Sequence, residues 1–279
     1  MSSELRVTLH GRSGAMNADR VLRELTGLLR LVREIERTEV HGRPHPRPST
    51  WAISHLGMGS VEVGLAPLDV AEGVAFADLD RVAKSAVDGF DTAEREDIIP
   101  SGWSTDAARC AKRLAGRLGA GVDTGLTLRL LVGGEVQRTV LVTQRAGRHL
   151  RRALSSKHTS VGSATGWLEE VSVHGRHTAG LWPVRGGGRI TITFDAEQLD
   201  TFKHALGHRV EVVGRLQRNA AGQILDLRAR DVEILPGSAP PLTDLVGLAR
   251  RAGSLPARPL VTGILRGGNR PRRAAPVGR

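Results

Sequence analysis

Residues 163–236 decide the fold of this chain, because they divide into five strand-like runs and one helix-like run. The strand-like runs are 166–173 (GWLEEVSV), 179–184 (AGLWPV), 189–194 (RITITF), 209–216 (RVEVVGRL) and 224–235 (ILDLRARDVEIL). These runs are rich in β-branched and apolar residues, and several alternate apolar with polar side chains. A helix-like segment over 195–206 separates the third run from the fourth. The predicted order of elements is therefore β-β-β-α-β-β.

This order of elements is that of a small OB-like β-barrel. Such barrels often hold single-stranded nucleic acid or another protein, and their second and third strands and two of their loops form the ligand surface. A fold of this kind serves many unrelated functions, so the function has to be argued from individual side chains.

The residues before the barrel predict an α+β domain. Its expected elements are a strand at 5–10, a helix at 17–36, a hairpin at 51–65, helices at 70–89 and 105–118, a hairpin at 121–142 and a helix at 144–154. The second hairpin is marked by Gly133-Gly134 between two β-rich runs, where a tight turn needs positive φ. We expect it to extend an N-terminal sheet of β-α-β-β-α type.

Three regions are predicted along the chain. They are an α+β domain over 1–155, the OB-like barrel over 160–236, and a linker with a flexible basic tail over 237–279. After a candidate short helix over 242–252, residues 253–279 are rich in proline, glycine and arginine, and 267–279 have almost no apolar content. That composition favours disorder, because too little apolar surface is available to form a core.

Composition limits the class of protein. Hydrophobic residues make up 40% of the chain but aromatic residues only 3%, with no tyrosine, so aliphatic side chains are expected to build the cores. The single cysteine, Cys110, excludes an intramolecular disulfide and fits a reducing compartment. The sequence has no apolar leader and no membrane-length apolar run. A cytoplasmic protein without a membrane partner is therefore expected.

The net charge of +11 is distributed unevenly along the chain. It amounts to −4 over 1–100, +8 over 101–160, zero over 161–236 and +7 over 237–279. Because the excess is confined to a central segment and the tail, the sequence predicts a basic patch and a basic arm for an anionic partner.

The helix predicted at 144–154 is the main candidate for phosphate binding. Helical spacing places Arg145, Arg148 and Arg152 on one face, with Arg151 beside Arg148. Guanidinium groups arranged in this way can contact successive phosphates. The alternative is a solvated helix face in an arginine-rich protein.

The helix predicted at 105–118 would enlarge this basic face if the two helices pack together. Its cations are Arg109, Lys112, Arg113 and Arg117. Along the chain, the acidic residues nearest to the 144–154 helix are Glu135 and Glu169, which are too distant in sequence to neutralise its arginines. An uncompensated basic patch is therefore expected.

The barrel and the tail supply further candidates for contacts with nucleic acid. These are Trp182, Arg185 and Arg189 near the second and third strands of the barrel, and Arg272 and Arg273 in the tail. For Trp182, and for Phe194 at the end of the third strand, packing in the core is favoured over stacking on bases, because a protein this poor in aromatic residues needs them inside. For the tail arginines, solubility is the alternative to non-specific contacts with a polyanion.

Motifs for catalysis and for cofactors are absent from the sequence. It contains no Walker-type phosphate loop, dinucleotide fingerprint, nucleophile elbow or HExxH motif. The pairs His174/His177 and His204/His208 have no cysteine or well-placed acid beside them, so surface histidines are favoured over a zinc site. For the acidic residues over 88–97, a solvated loop is favoured over a divalent-metal site. No cofactor is expected, and an enzyme is the less favoured class.

These observations predict a non-catalytic nucleic-acid-binding or accessory protein that contacts phosphate backbones through arginine-rich helices and the tail. The expected partner is single-stranded or non-specifically bound nucleic acid, or else an acidic protein. The alternative function is a scaffold subunit of a multiprotein assembly that uses the barrel and the N-terminal sheet as docking surfaces. A nuclease that uses the carboxylates over 88–97 is a third hypothesis.

Overall fold

A computed structural model describes residues 3–11, 17–40, 49–57, 61–71, 74–119, 124–184 and 188–236. They form a five-stranded sheet with helices packed against it and a closed five-stranded barrel. This confirms the predicted α+β class with an OB-like barrel on the C-terminal side. Three of the predicted binding residues, Arg185, Arg272 and Arg273, lie outside the described residues, as does the tail over 237–279.

The N-terminal region consists of a sheet and four described helices. In chain order its elements are β1 (Ser3–Leu9), α1 (Ala18–Glu39), β2 (Thr50–Gly57), β3 (Val61–Asp69), α2 (Phe76–Arg95), α3 (Thr105–Ala115), β4 (Leu126–Val132), β5 (Glu135–Val142) and α4 (Gln144–Ala153). The strands pair antiparallel in the order β2-β3-β1-β4-β5. Leu5, Val7 and Leu9 alternate along β1 and are buried in the core. No helix in the described part of the chain is long and apolar enough to cross a membrane.

Helix α2 begins six residues later than the sequence pattern predicts. Strand β3 continues to Asp69, which pairs with Thr50 of β2. The helix starts where the Asp78 carboxylate accepts a hydrogen bond from the Ala75 backbone N–H at 2.8 Å. Its buried stripe then extends to Phe90 and Ala93, beyond the predicted end at 89.

The barrel follows directly after α4. Its elements are β6 (His158–Ser172), β7 (Thr178–Pro183), β8 (Ile190–Thr193), α5 (Leu199–Ala205), β9 (Arg209–Arg218) and β10 (Ile224–Ile234). The strands close in the order β10-β8-β7-β6-β9. Only the β8–β10 pair is parallel among the described pairs of neighbours in this ring. This connectivity, with the helix between the third and fourth strands, is that of an OB fold.

Strand β6 is longer than the predicted run at 166–173. Residues 158–165 are mostly small and polar, so they carry little strand signal of their own. They become a strand by pairing with β9, in a register that runs from His158↔Arg218 to Trp167↔Arg209. Closure of the barrel therefore creates the first half of β6.

Each region has an aliphatic core with a few aromatic residues at its centre. In the N-terminal core, Trp103 is 1% exposed, meets Phe90 edge-on and donates from Nε1 to the Ser85 carbonyl at 3.1 Å. In the barrel, Phe194 stacks on Phe202 with the ring centroids 4.1 Å apart. Phe194 is 3% exposed, in agreement with the core packing that the sequence favours for this residue.

The turn between β9 and β10 docks the barrel on the N-terminal region. The Gln223 side chain accepts from the Ile99 backbone N–H and donates to the Ile99 carbonyl, both at 2.8 Å. Asn219 donates to the carbonyl of Ala153, the last residue of α4, at 2.9 Å. Both regions belong to one compact unit, Met1–Gly237. The domain limits expected from the sequence stay predictions.

Glu24, on α1, is a buried carboxylate with little compensation. It is 2% exposed, and its Oε2 atom has no hydrogen-bond partner among the described residues. Burial raises the pKa of Glu24, while Arg117, Arg20 and Arg23 act in the opposite direction. The Arg117 guanidinium is 3.9 Å away, so it offsets only part of the cost of burial.

Glu24→Gln is expected to increase the free energy of unfolding at neutral pH by about 1 kcal/mol, because an amide avoids the burial of a charge. Below its ordinary pKa of 4.5, the Glu24 carboxyl group is protonated in both the folded and the unfolded protein, so no buried charge lowers the stability. As the pH rises through the raised pKa of the folded protein, the buried group becomes charged and the loss of stability develops. Urea unfolding of both proteins at several pH values checks this, and an equal gain at acidic and neutral pH would contradict it.

Candidate nucleic-acid interface

Helix α4 presents arginines to solvent along its outer side. Arg145, Arg148 and Arg151 are exposed, and none of them forms a salt bridge with a described residue. Arg148 makes a 3.5 Å hydrogen bond to the side chain of Gln144. The opposite side of the helix, which includes Leu150, is buried in the N-terminal core. These three guanidinium groups are therefore held on a fixed element and face solvent.

Two acidic residues of the predicted 88–97 cluster meet α4, although sequence distance alone does not indicate this. Glu94 accepts hydrogen bonds from the backbone N–H groups of Thr143, at 2.6 Å, and Ala146, at 3.3 Å. Its carboxylate therefore occupies the N-terminus of α4, where an external anion would otherwise be favoured. Asp97 pairs with Arg152 at 3.1 Å, so the charge of Arg152 is partly neutralised.

Helices α3 and α4 pack closely enough to merge their outer faces. A Cβ atom at Gly147 would lie 2.7 Å from the Gly116 nitrogen, so glycine permits this approach. The backbone N–H of Gln144, the first residue of α4, donates to the Gly119 carbonyl just past the end of α3. The start of α4 therefore lies beside the end of α3, and the two helices run antiparallel. Lys112 is one turn before Gly116, and Arg151 is one turn after Gly147. The two cations therefore lie at one level across the helix pair.

Two of the predicted α3 cations are engaged by carboxylates. Arg109 pairs with Asp106 at 2.7 Å, one turn earlier on the same helix. Arg117 lies 3.9 Å from the buried Glu24 and donates to the Arg113 carbonyl at 2.9 Å. Both charges are therefore partly used inside the protein.

The other two α3 cations have no carboxylate partner among the described residues. Lys112 is half-buried and makes no ion pair, and Arg113 is exposed and donates to the Cys110 sulfur at 3.1 Å. Burial raises the pKa of the Cys110 thiol, and the nearby charge of Arg113 acts in the opposite direction. We call the following set the basic ridge: Lys112, Arg113, Arg145, Arg148 and Arg151.

The structure places the predicted barrel residues Trp182 and Arg189 inside the molecule. Trp182 is 9% exposed, and the Arg189 guanidinium lies over its ring at 5.6 Å from the centroid. Arg189 pairs with Glu170 at 2.9 Å and approaches Asp106 of α3 at 3.8 Å. In this arrangement Trp182 offers little ring surface for stacking, and the charge of Arg189 is balanced. A role for either residue in binding nucleic acid stays a prediction.

Sequence reasoning did not select Trp167 or Arg218 as candidates. Trp167 is 41% exposed on β6, directly opposite Trp182 in the register. Alternation along β6, with Leu168 facing the barrel core, was a usable signal for an outward Trp167. No comparable signal existed for Arg218, because its surroundings are created by the docking of the β9–β10 turn.

Three of the remaining acidic and histidine candidates, Asp88, Asp91 and His177, make contacts within the protein. Asp88 and Asp91 both pair with Arg138 of β5, at 2.7 and 2.5 Å. His177 stacks on Phe194. Within the described ranges, no group of three or more histidine, cysteine or acidic side chains is arranged to hold a metal ion.

Comparisons with known proteins add a partial structural similarity. No family model matches this chain, and no curated protein matches it significantly. Among solved structures, it is similar to Rim1, a mitochondrial single-stranded DNA binding protein from S. cerevisiae. The match has 19% identity and a TM-score of 0.24, and it covers 29% of this chain and 99% of that one. A match at this level carries no functional argument, and the OB assignment is based on the order of the strands.

Proposed function

We propose that this protein binds nucleic acid through the phosphate backbone, without catalysis, and that the basic ridge is its main contact surface. The observation that carries the proposal is the position of the five ridge cations on two packed helices, without a salt bridge to any described residue. Charges held in this way attract a polyanion and release its counterions on contact.

The ridge suits recognition of the backbone more than recognition of bases. Its cations are guanidinium groups and one ammonium group, which favour phosphate oxygens. The exposed side of α4 presents Gln144 and arginines, with no aromatic residue among them to stack on a base. Binding that depends little on base sequence is therefore expected.

The contacts of the acidic residues favour binding over hydrolysis. The carboxylates of Asp88 and Asp91 pair with Arg138, Glu94 caps α4, and Asp97 pairs with Arg152. A divalent-metal nuclease requires carboxylates that converge on an ion. Here these carboxylates instead contact β5 and α4, and so hold α2 against them.

Fluorescence anisotropy with labelled single- and double-stranded DNA and RNA over a salt series tests the proposal. If each ridge cation meets one phosphate of a single strand, log K should fall with log salt with a slope of about −3.5. A protein that binds none of the four nucleic acids, or whose binding does not depend on salt, would contradict it.

A second candidate function is a scaffold subunit that docks other proteins. The observation that favours it is the exposure of large apolar side chains on the edge strand β2 and on its neighbour β3. Ile53 and Leu56 are each 64% exposed, and Leu68 on the neighbouring strand is 66% exposed. If the protein ignores nucleic acid, and Ile53→Ser with Leu56→Ser abolishes a stable association with another protein, this alternative replaces the first.

A further inference from the structure

A cleft of about 430 Å³ lies between the segment that joins α2 to α3 and one end of the barrel. Its apolar walls include Ile98 and Ile99 from the joining segment and Ile190 and Ile224 from the barrel. Arg218, at the end of β9, also lines it. In an OB fold, the third strand and the loop between the fourth and fifth strands belong to the usual ligand surface. Here β8 and the β9–β10 turn supply the same elements.

The walls of the cleft are fixed by contacts between the two regions. Gly188 lies so close to the Trp103 carbonyl oxygen that a Cβ atom there would be 1.9 Å from it. The two hydrogen bonds between Gln223 and the Ile99 backbone hold the opposite wall. A cleft held at both ends is preformed, so a ligand would not have to order it on binding.

The polar groups of the cleft favour an anionic ligand. Arg218 donates to the Gly222 carbonyl at 2.7 Å and makes no salt bridge within the described part of the chain. None of the described lining residues carries a carboxylate. Arg189 also lines the cleft, but Glu170 and Asp106 balance its charge. Arg218 therefore supplies the uncompensated positive charge.

A hydroxyl group without a partner lies in the same wall. Thr105 is 4% exposed, and its Oγ1 atom has no hydrogen-bond partner among the described residues. Buried hydroxyl groups are nearly always hydrogen-bonded, which makes Thr105 a candidate partner for a polar group of a bound ligand. The cleft thus combines apolar walls, one uncompensated guanidinium group and one unused hydroxyl group.

We infer that this cleft binds a single nucleotide unit, with its phosphate at Arg218 and its base between the isoleucine side chains. The cavity volume is in the range of small-ligand sites, and apolar walls with a few polar groups are typical of such sites. The nucleotide is either free or the terminal unit of a strand, since both present the same chemistry. The inference goes beyond the proposed function, because it does not require the basic ridge.

Calorimetric titration of the full-length protein with dTMP, AMP, GMP, CMP and UMP tests the inference, with thymidine and inorganic phosphate as partial ligands. At least one nucleotide should bind more tightly than either partial ligand. Arg218→Gln should weaken that binding about tenfold, the usual size of a lost charged hydrogen bond. Arg215→Gln is the matched control, because Arg215 is exposed on the same strand and does not line the cleft.

Ser101→Trp provides a second variant, which fills the mouth of the cleft and leaves Arg218 in place. It should also abolish nucleotide binding, while its thermal unfolding stays close to that of the wild type. Binding that survives both variants, an equal effect of Arg215→Gln, or no binding of any nucleotide would overturn the inference. Thymidine binding as tightly as dTMP would also overturn it.

Two further experiments identify the source of the ligand and distinguish binding in the cleft from binding at the basic ridge. If an oligonucleotide with free ends competes with the mononucleotide and one with blocked ends does not, the cleft holds a strand terminus; if neither competes, the ligand is free. Either result supports the inference. Arg148→Glu with Arg151→Glu should leave mononucleotide binding unchanged. Loss of strand binding in that variant alone therefore concerns the ridge and not the cleft.

Discussion

A protein that carries Arg148→Glu and Arg151→Glu is expected to bind single-stranded DNA about a hundredfold more weakly than the wild type at moderate salt. The two substitutions remove two phosphate contacts and place two negative charges on the ridge. The salt dependence should become less steep by about 1.4, because each lost contact with a single strand removes about 0.7 from the slope. Anisotropy titrations at four or more salt concentrations measure both quantities.

The matched control is Arg215→Glu with Arg230→Glu, which makes the same change in net charge on β9 and β10 of the barrel. Both arginines are exposed and form no salt bridge with described residues. If the control lowers affinity and slope as much as the ridge variant does, binding reflects overall charge and the ridge is not the contact surface. Thermal unfolding should differ little among the three proteins, since none of these side chains packs in a core.

The largest expected loss of stability follows from Gly89→Ala in α2. A Cβ atom at this position would lie 2.2 Å from the Trp103 ring, which is itself buried and hydrogen-bonded to Ser85. Either the indole moves and gives up that bond, or α2 shifts away from the core. We expect the free energy of unfolding to fall by about 3 kcal/mol. For a unit of this size, the midpoint of thermal unfolding would fall by about 10 °C.

Gly27→Ala on α1 is the comparison for this prediction. It also replaces a helical glycine, but the nearest atom to the new Cβ would be Leu114 Cδ1 at 3.4 Å, an ordinary contact. Alanine is the better helix former, so this variant should be unchanged or more stable by up to about 1 kcal/mol. Equal destabilisation of both variants would show that the close approach of Gly89 to Trp103 does not govern the packing of α2.

The arginines of α4 show what helical spacing can predict about this surface and what it cannot. The i, i+3 and i+7 positions of Arg145, Arg148 and Arg152 predict a shared face without any knowledge of the fold. The neighbour of each arginine does not follow from spacing. Asp97 reaches Arg152 only because α2 packs beside α4, and Lys112 reaches the level of Arg151 only because Gly147 lets α4 approach the end of α3.

The barrel shows the same division. Apart from the first half of β6, its five strands and its helix follow from the local pattern, since alternation and β-branched residues define the strand-like runs. The contacts of Arg189 do not follow, because they reach Glu170 of β6 and Asp106 of α3, which are distant from it in the sequence. Arg189 lies beside the third strand, on the usual ligand surface of an OB fold, but here it contacts other residues of the protein.

By itself, the sequence determined the class of fold, the order of the barrel elements along the chain, the aliphatic nature of the cores and the concentration of positive charge between residues 101 and 160. These properties depend on composition and on neighbours within a few residues along the chain. The tertiary structure alone decided which cations are neutralised, which aromatic residues are buried, and that a cleft with Arg218 in its wall lies beside the β9–β10 turn. Those properties depend on contacts between residues far apart in the chain, which a local pattern does not specify.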